Sequence, residues 1–216
     1  MVPPIDARAS CECDEKSHHP RLVVVTGGPG AGKTVLLEAV RRTFCHHVVI
    51  LPEAAGIVFG GGFPRRATPP AQRAAQRAIF RVQRELERLA LEEGAAVVLC
   101  DRGTLDGLAY WPSSGPTLYD DLGIDRAAEL ARYHAVVHLR TPPASHYSRA
   151  NNPLRVEDAF EAAEVDARLI AAWDGHPERH LVNGTNDFFE KLGRAVKILR
   201  HEVPKCCRVP EVAAPS

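Results

Sequence analysis

Eight consecutive residues near the start of the chain have the types and spacing of a phosphate-binding loop. They are Gly27, Gly28, Pro29, Gly30, Ala31, Gly32, Lys33 and Thr34, which read G-x-x-x-x-G-K-T. Glycines allow successive backbone N–H groups to point toward one centre, where they can bind phosphate oxygens. Lys33 would reach the terminal phosphates of a nucleotide, and the Thr34 hydroxyl would bind Mg²⁺. The pattern therefore predicts a P-loop that binds a nucleoside triphosphate, ATP or GTP, together with Mg²⁺.

The residues on either side of this loop fit its structural requirements. The apolar run Leu22–Val25 precedes it, and the helix-compatible stretch Val35–Val40 follows it. A P-loop connects a strand to a helix, whose first N–H groups, including that of Val35, add partial positive charge near the phosphates. The alternative is a glycine-rich turn that enters an ordinary helix. The strand, the Lys-Thr pair and the helix together favour the P-loop.

Polar residues that follow the predicted strands could perform chemistry on a bound phosphate. Glu53 follows the second apolar run, where a carboxylate can accept the proton of a hydroxyl that attacks the γ-phosphate. Asp101 ends the third run, as in a Walker B strand, and could bind Mg²⁺ or act as the base. Arg102 beside it is a candidate clamp for an anion or a substrate. The alternatives are a salt bridge or a helix start for Glu53 and a helix N-cap for Asp101.

Three residues in the second half of the chain are candidates for completing the site. Arg149 and Arg155 follow the fourth predicted strand, where a lid would bring cations to neutralise the charge on the transferred phosphoryl group. Surface salt bridges to neighbouring carboxylates are the alternative for both arginines. Asn186 belongs to the segment after the last strand, which is the usual place for a nucleobase. This segment lacks the N-K-x-D base-recognition motif, so it does not distinguish adenine from guanine.

Five short apolar runs, separated by helical segments, must position these residues. We predict strands at Leu22–Thr26, Val48–Leu51, Ala95–Cys100, Ala135–Leu139 and Leu181–Val182. Continuous Val, Ile and Leu runs are typical of parallel strands that are buried on both faces. Their alternation with helices predicts an α/β three-layer sandwich, in which right-handed crossovers place the carboxyl ends of the strands at one edge. Ligands bind along that edge, so the polar residues above should converge there.

The clearest predicted helix is Ala71–Glu93. Its apolar stripe comprises Ala78, Ile79, Val82, Leu86 and Leu89. Its basic face comprises Arg73, Arg77, Arg81, Arg84 and Arg88. Glutamates on the same helix lie three or four residues from these arginines, which favours a solvated, salt-bridged face over a partner-binding surface. The glycine- and proline-rich stretch Gly60–Pro70 before the helix is predicted to be a loop that covers the substrate.

The composition is that of an ordinary globular domain. The chain has 216 residues, of which 45% are hydrophobic and 25% charged, and 27 basic residues balance 27 acidic ones. The zero net charge argues against a nucleic-acid partner bound through bulk charge, and no apolar run is long enough to span a bilayer. We predict a flexible arm at 1–20, one P-loop domain at 21–204 and a tail at 205–216. The polar amino terminus gives no signal-peptide pattern, so a cytoplasmic location is the default expectation.

Six cysteines require an interpretation. Cys45 and Cys100 lie in or beside predicted secondary structure and are expected to be buried thiols. The other four form two pairs near the ends of the chain, Cys11 with Cys13 and Cys206 with Cys207. A metal site could be built from these four. However, neither pair has the C-x-x-C spacing, which favours thiols without a metal or redox role.

Several motifs, in their order along the chain, resemble a known family. They are Thr26–Thr34, Pro52–Ala55, Asp101–Gly103, Asp106–Tyr110, Asn152–Glu157, Trp173–Pro177 and Asn183–Lys191. From Arg21 to Pro204 the chain is similar to the P-loop AAA-type ATP-binding family that includes the NadR-type ribosylnicotinamide kinase domain and the nucleotide-binding domain of the TRPL-translocation-defect protein. Glu53 and Asp101–Arg102 also resemble the glutamate and the acid–arginine pair of deoxynucleoside kinases. The resemblance implies a kinase-type sheet of order 2-3-1-4-5 with a substrate pocket over its edge.

Two main functions follow from these expectations. The first is a small-molecule kinase that transfers the γ-phosphate of ATP to a hydroxyl of a nucleoside-like acceptor. The second is a nucleotide-dependent switch that binds a protein partner and hydrolyses ATP or GTP slowly; a plain NTPase is a third. The sequence leaves open the acceptor, the choice between ATP and GTP, and whether Glu53 or Asp101 is the base.

Overall fold

A parallel five-stranded sheet forms the centre of the fold. The structure is a computed structural model, which describes residues 18–41, 43–141, 159–183 and 188–208. The strands are β1 (Arg21–Thr26), β2 (Val48–Leu51), β3 (Val97–Asp101), β4 (Ala135–Leu139) and β5 (Arg179–Val182). Their spatial order is β2-β3-β1-β4-β5, and each neighbouring pair is parallel. The predicted fold class, an α/β sandwich with a parallel sheet of order 2-3-1-4-5, is confirmed.

Helices connect the strands and cover both faces of the sheet. They are α1 (Lys33–Arg41), α2 (Ala54–Gly60), α3 (Pro69–Glu92), α4 (Leu118–Leu122), α5 (Arg126–Ala131), α6 (Ala159–Ala172) and α7 (Phe188–Glu202). Two short 3₁₀ helices also occur, at Thr104–Tyr110 after β3 and at Lys205–Cys207 after α7.

The alternation of side chains along β1 shows how the three layers form. Val23 and Val25 pack with α1 and α7 on one face, whereas Leu22 and Val24 pack on the other face with residues of α3 and α5. Because both faces are covered, consecutive apolar residues are all buried, as the unbroken Val and Leu runs predict. Burial of each such side chain stabilises the fold by about 1.5–3 kcal/mol relative to its exposure.

Helix α3 buries a different face from the predicted one. Its buried residues are Ala75, Gln76, Phe80, Gln83, Glu87 and Ala90. Of the apolar stripe, Leu89 is 53% exposed and the other four residues are half-buried, so the stripe lies beside the most deeply buried face of the helix rather than on it. The reason is a polar network: the Glu87 carboxylate accepts hydrogen bonds from Gln83 Nε2 at 2.8 Å and Tyr133 Oη at 2.8 Å and pairs with Arg132. A carboxylate with this many donors can be buried, and apolar spacing alone gives no signal for it.

The arginines of α3 pair with carboxylates, mostly on neighbouring elements. The pairs are Arg77–Asp121 at 2.9 Å, Arg84–Glu129 at 2.7 Å and Arg88–Glu85. These contacts agree with the salt-bridged interpretation of the face. Two of the three partners belong to α4 and α5 rather than to α3 itself, because these short helices pack beside it.

The ends of the chain lie only partly within the described residues. Lys205–Cys207, assigned to the tail from the sequence, form a 3₁₀ helix, and Arg208 pairs with Phe44 through an isolated β-bridge. The division into arm, domain and tail stays a prediction, because 1–17 and 209–216 lie outside the described residues. Among the helices that the structure describes, none combines the length and the apolar composition needed to cross a bilayer.

Candidate functional site

The predicted P-loop connects the end of β1 to the start of α1. It begins at Gly27, and α1 begins at Lys33. Gly27 has a φ of 138°, and a Cβ there would lie 2.0 Å from the carbonyl oxygen of Leu139. Gly32 has a φ of 96°, and a Cβ there would lie 2.8 Å from the Phe188 ring. Both positions therefore require glycine, and the loop leads into a helix whose first-turn N–H groups are available to an anion.

Lys33 is buried against its own loop. Its Nζ donates to the carbonyl oxygens of Gly27 at 2.8 Å and Gly28 at 3.2 Å. An ammonium group has three N–H donors, so one remains for a phosphate oxygen. Burial and the nearby Arg102 guanidinium lower the pKa of Lys33 to about 8, although Asp101 and other carboxylates oppose this shift. The group is therefore mostly charged at neutral pH and titrates just above it.

Asp101 ends β3 beside the strand that leads into the P-loop. Its backbone pairs with Val25 of β1, which places it at the carboxyl edge of the sheet. Its Oδ1 is buried and has no hydrogen-bond partner among the described residues. Burial raises the pKa of Asp101, and the Lys33 ammonium opposes this effect. A buried carboxylate oxygen without a donor fits a hard cation that takes oxygen ligands, such as Mg²⁺, and the exposed Thr34 hydroxyl can offer a second oxygen.

Arg102 connects the P-loop to the β2 side of the site. Its φ of 74° lies in the left-handed region, which costs a non-glycine residue about 1–3 kcal/mol. From this position Nε donates to Glu53 Oε1 at 2.7 Å, and Nη1 donates to Gly27 O and Asp106 Oδ2, each at 3.4 Å. Backbone strain that is held by surrounding bonds is typical of functional sites. The strain here directs a guanidinium to the point where the P-loop begins.

Glu53 precedes α2 and faces Arg102, with its side chain 40% exposed. Burial would raise the pKa of Glu53, but the Arg102 guanidinium and the Lys33 ammonium outweigh it and hold the pKa below its ordinary value. Lys33, Glu53, Asp101 and Arg102 each perturb the pKa of at least one other member of the group, so they lie together at one edge of the sheet. Glu53 thus forms a salt bridge with Arg102, as the alternative interpretation expected, and it also lies beside the P-loop.

Asp106 supports Arg102 from the 3₁₀ helix after β3. It is buried and accepts hydrogen bonds from Thr26 Oγ1 at 2.7 Å and from Trp173 Nε1 at 2.6 Å. The only local signal for Asp106 in the sequence is weak: it is an aspartate four residues after Arg102. Trp173 lies 67 positions away, and only folding brings it there. Asp106 acts as a positioning residue, since its contacts are to protein groups.

A second carboxylate holds the opposite side of the P-loop and was missed in the sequence. Asp166 of α6 accepts the Gly28 N–H at 3.1 Å and the Arg140 Nε–H at 2.7 Å, and its Oδ1 lies 2.8 Å from His138 Nε2. Burial would raise the pKa of Asp166, but the hydrogen bonds from His138 and Arg140 lower it to about 2. Gly28 and Asp166 are 138 positions apart, so no local pattern could indicate this contact.

Lys191 of α7 ties the P-loop to the end of β4. Its Nζ donates to Ala31 O at 2.7 Å and to Arg140 O at 2.6 Å. Burial lowers the pKa of Lys191 to about 8, and Asp166 opposes this shift. Lys191 is therefore a second buried ammonium at the loop, and these two hydrogen bonds to carbonyl oxygens hold the backbone in place.

The remaining predicted residues divide into two groups. Within the loop, Ala31 is buried and Pro29 and Gly30 are half-buried, while Val35 in the first turn of α1 is 49% exposed. The other group, Arg149, Arg155 and Asn186, lies outside the described residues. The roles predicted for these three, as lid cations and as a base contact, stay predictions.

Comparison with known proteins identifies the family. The profile of an AAA domain family matches residues 22–191, which is most of the chain. The chain belongs to this AAA domain family. Among solved structures, the thymidylate kinase of Candida albicans is similar to this AAA domain protein, with a TM-score of 0.55 and 10% identity over 86% of this chain and 93% of that chain. At this identity the likeness shows the fold, the P-loop kinase fold. A search of the curated proteins finds no match.

The family and the fold agree with the prediction made from the motifs. The AAA domain protein is a P-loop nucleotide-binding protein, because its family match covers the P-loop, the ends of β2, β3 and β4 that position the site, and the start of α7. The acceptor, the metal and the roles of single residues are separate questions.

Proposed function

We propose that this AAA domain protein is a Mg²⁺-dependent small-molecule kinase, which transfers the γ-phosphate of ATP to a hydroxyl of a nucleoside-like acceptor. The observation that carries the proposal is the meeting of Glu53, Asp101 and Arg102 with Lys33 at the carboxyl edge of the sheet. A nucleotide switch needs the P-loop and a cation site. A phosphate acceptor needs in addition a carboxylate and a cation beside the loop, and Glu53 with Arg102 supplies both.

The phosphate side of the site would be formed by the P-loop. The third N–H of the Lys33 ammonium and the first backbone N–H groups of α1 would bind the β- and γ-phosphates. Thr34 and Asp101 would hold Mg²⁺, which when bound neutralises charge on the phosphate oxygens. The Oδ1 of Asp101 supports this assignment, since among the described residues it is the one buried carboxylate oxygen without a hydrogen-bond partner.

The acceptor side would be formed by Glu53 and Arg102. Arg102 holds Glu53 Oε1 at 2.7 Å, which fixes the carboxylate and leaves Oε2 for a substrate hydroxyl. The lowered pKa keeps Glu53 ionised, so it can orient the hydroxyl and accept its proton as the phosphoryl group transfers. Phosphoryl transfer depends chiefly on positioning and charge neutralisation, so an ionised, fixed carboxylate is sufficient for this role.

The lid and base contacts belong to the proposal as predictions from the sequence. Arg149 and Arg155 would bring positive charge over the transferred group, and Asn186 would contact the nucleobase. A nucleoside-like acceptor is favoured by the resemblance of Glu53 and Asp101–Arg102 to the deoxynucleoside kinases. The solved structure that shares the fold is that of a thymidylate kinase, and at 10% identity it carries the fold alone.

The proposal is tested by acceptor-dependent turnover. The purified protein is incubated with Mg²⁺ and ATP, or with Mg²⁺ and GTP, together with a panel of nucleosides, nucleoside monophosphates and other small alcohols, while ADP or GDP release is followed. We expect release that rises with one class of acceptor and that yields a phosphorylated product by mass spectrometry. Slow release that is the same with every acceptor, together with nucleotide-dependent partner binding, would instead establish the switch.

The role of Glu53 has its own variant. Glu53→Gln keeps the size of the side chain but removes its charge, so ATP affinity should stay within a few-fold while turnover falls on the order of 10²-fold or more. Glu85→Gln, on the exposed surface of α3, is the matched control and should behave as wild type. Unchanged acceptor-dependent turnover in Glu53→Gln would remove Glu53 from the role and leave Asp101 as the candidate base.

A further inference from the structure

A cluster of cysteines and histidines lies at the end of the sheet opposite the P-loop. Cys45 and His47 directly precede β2, and Cys207 belongs to the 3₁₀ helix after α7. The strands are parallel, so the start of β2 lies at the amino edge of the sheet, whereas the P-loop follows the carboxyl end of β1. The Cys45 N–H donates to Cys207 O at 3.0 Å, which holds these two segments together. The cluster is therefore separate from the nucleotide site.

Three ligand atoms of this cluster form a compact triangle. Cys206 Sγ lies 3.6 Å from His18 Nε2, Cys207 Sγ lies 3.7 Å from the same nitrogen, and the two sulfurs are 3.9 Å apart. Adjacent cysteines are 1 position apart in sequence, but His18 is 188 positions from Cys206. The fold therefore brings His18 Nε2 from the far end of the chain to almost the same distance from the Cys206 and Cys207 sulfurs.

The dimensions of this triangle match those of a zinc site. A tetrahedral zinc ion, at about 2.3 Å from sulfur and about 2.0 Å from nitrogen, separates two sulfurs by about 3.8 Å and a sulfur from a nitrogen by about 3.5 Å. The three observed separations lie within a few tenths of an ångström of these edges. Hydrogen bonding alone does not require all three ligand atoms to lie close to one another, whereas coordination of one metal ion does.

A second triad shares Cys207. Cys45, His47 and Cys207 offer ligand atoms that lie within 4.8 Å of one another, and Cys45 Sγ is 3.7 Å from His47 Nδ1. Cys45 thus lies near Cys207 but outside the compact triangle, and it is the thiol from which a Cys₃His set can be completed. Structural zinc sites are almost always four-coordinate, with sets of this type.

We propose that the protein binds a structural zinc ion through His18, Cys206 and Cys207, with Cys45 beside them to complete the coordination. Each coordinating thiol releases its proton to solvent as it binds the ion. The Cys206 and Cys207 thiolates balance the charge of Zn²⁺ beside the neutral His18 imidazole, and Cys45 as a third thiolate gives the completed Cys₃His site a single net negative charge. The ion joins a segment that precedes β1 to the 3₁₀ helix that follows α7, and through Cys45 to the loop before β2. It stabilises the amino edge of the sheet without touching the chemistry at the other edge.

The first test measures zinc in the full chain, produced without a histidine tag and kept under a thiol reductant. We expect one zinc ion per chain by elemental analysis. His18→Ala and Cys206→Ala should each lower the zinc affinity on the order of 100-fold or more, measured by competition with a chromogenic chelator. His19→Ala is the matched control, because His19 is adjacent and exposed, and it should retain the metal. Equal zinc affinity in His18→Ala, Cys206→Ala and His19→Ala overturns the proposal.

Replacement of zinc by Co²⁺ gives an independent readout of geometry. The cobalt protein should show strong visible d–d bands and sulfur-to-cobalt charge transfer, as tetrahedral sites with thiolate ligands do. Both signals should be lost in Cys206→Ala and kept in Cys100→Ala, whose thiol lies in β3 away from the cluster. An octahedral-type weak spectrum, or a reduced protein that binds neither metal and carries a Cys206–Cys207 disulfide on mild oxidation, overturns the site.

Stability separates a structural ion from an adventitious one. A strong chelator should lower the melting temperature of the wild type and His19→Ala by several degrees and leave His18→Ala unchanged, because only bound metal adds stability. Triphosphate binding should persist in all of these proteins, which confirms that each variant is folded and keeps this result independent of the proposed kinase activity. A chelator effect that is equal in His18→Ala and in wild type contradicts the proposal.

Discussion

Two carboxylates flank the P-loop, and they differ in how many of their oxygens accept hydrogen bonds from the protein. Asp166 receives hydrogen bonds on both oxygens, from Gly28 and His138 on one and from Arg140 on the other. Asp101 has a buried oxygen, Oδ1, to which no described residue donates a hydrogen bond. Burial disfavours the charge on both, yet the pKa of Asp166 falls to about 2 while that of Asp101 rises. The pKa values of two aspartates beside the same loop are thus shifted in opposite directions, because Asp166 accepts hydrogen bonds on both oxygens and Asp101 does not.

The difference separates scaffold from ligand site. A carboxylate whose bonds are complete has nothing to offer a substrate, and its loss should affect stability. A buried carboxylate with an unmet oxygen is costly in the free protein and gains most when a cation arrives. The β4 side of the loop, where Asp166 lies, therefore holds the loop in shape, and the β3 side, where Asp101 lies, is where ligands should bind.

The largest effect on turnover and affinity is expected for Lys33, which lies in the loop between the β3 side and the β4 side. Lys33→Met removes the ammonium of the G-K-T motif, which is expected to bind the terminal phosphates, so turnover or nucleotide hydrolysis should fall about 10²–10³-fold. Triphosphate affinity, measured by calorimetry with Mg²⁺, should fall with it. Lys191→Met is the comparison, because that ammonium belongs to α7 and joins Ala31 O of the loop to Arg140 O after β4, so its loss should cost stability more than affinity. Equal losses of affinity in the two variants would erase the distinction.

The ligand side is tested by Asp101→Asn. An amide keeps the shape but offers a weak ligand for Mg²⁺, so triphosphate affinity in the presence of Mg²⁺ should fall about 10–100-fold. Affinity measured in EDTA should change little, because Asp101 would act through the cation. The melting temperature of the free variant should stay the same or rise, since the unmet buried charge is gone. A clear fall in the stability of the free protein would place Asp101 with the scaffold.

The pH dependence of triphosphate binding sharpens the role of Lys33. Its pKa in the free protein is about 8, and an anionic phosphate would raise it, so the charged form binds more tightly. Affinity should be constant below pH 8 and fall by up to about tenfold per pH unit above it. Lys33→Arg should bind without this fall, because a guanidinium does not titrate in the range. Persistence of the fall in Lys33→Arg would assign it to Lys191, whose pKa is also about 8.

The scaffold side is tested by Asp166→Asn, for which the smallest effect on binding is expected. Its pKa is lowered from 3.8 to about 2, so the ionised form contributes about 2 kcal/mol to stability. That contribution is present above pH 3.8 and is lost as the pH falls toward 2. The variant should melt about 4–8 °C lower at neutral pH, and the gap to wild type in urea unfolding should close in acid. A gap that is independent of pH would show that ionisation of Asp166 is not its cause.

Part of the site could be read directly from the sequence. The P-loop is contiguous, so its glycines, Lys33 and Thr34 were found from spacing alone. The strands were found because both faces of each are buried, which leaves unbroken apolar runs. Once parallel strands are expected, the residues that follow them must meet at one edge, and this reasoning selected Glu53, Asp101 and Arg102.

Other parts could not be read in this way. The buried face of α3 includes Glu87, and a pattern that equates burial with apolar residues selects the stripe beside it. Asp166 holds Gly28 across 138 positions, and nothing near either residue indicates the pairing. His18 Nε2 lies 3.6 Å from Cys206 Sγ and 3.7 Å from Cys207 Sγ although it is 188 positions from Cys206, so spacing within the cysteine pairs could not indicate this cluster.

The sequence by itself determined the class of ligand and the alternation of parallel strands with helices, because both depend on short contiguous patterns that the backbone must satisfy locally. The order of the strands in the sheet was expected from the family resemblance, and the structure confirms it. The tertiary structure alone decided which polar groups are left without partners. Whether a buried carboxylate or thiol is complete depends on donors brought from distant segments, and their arrival depends on how the layers pack. For that reason Asp101 and Asp166 are the same residue type in the sequence, but only Asp101 keeps a buried oxygen without a hydrogen-bond partner among the described residues.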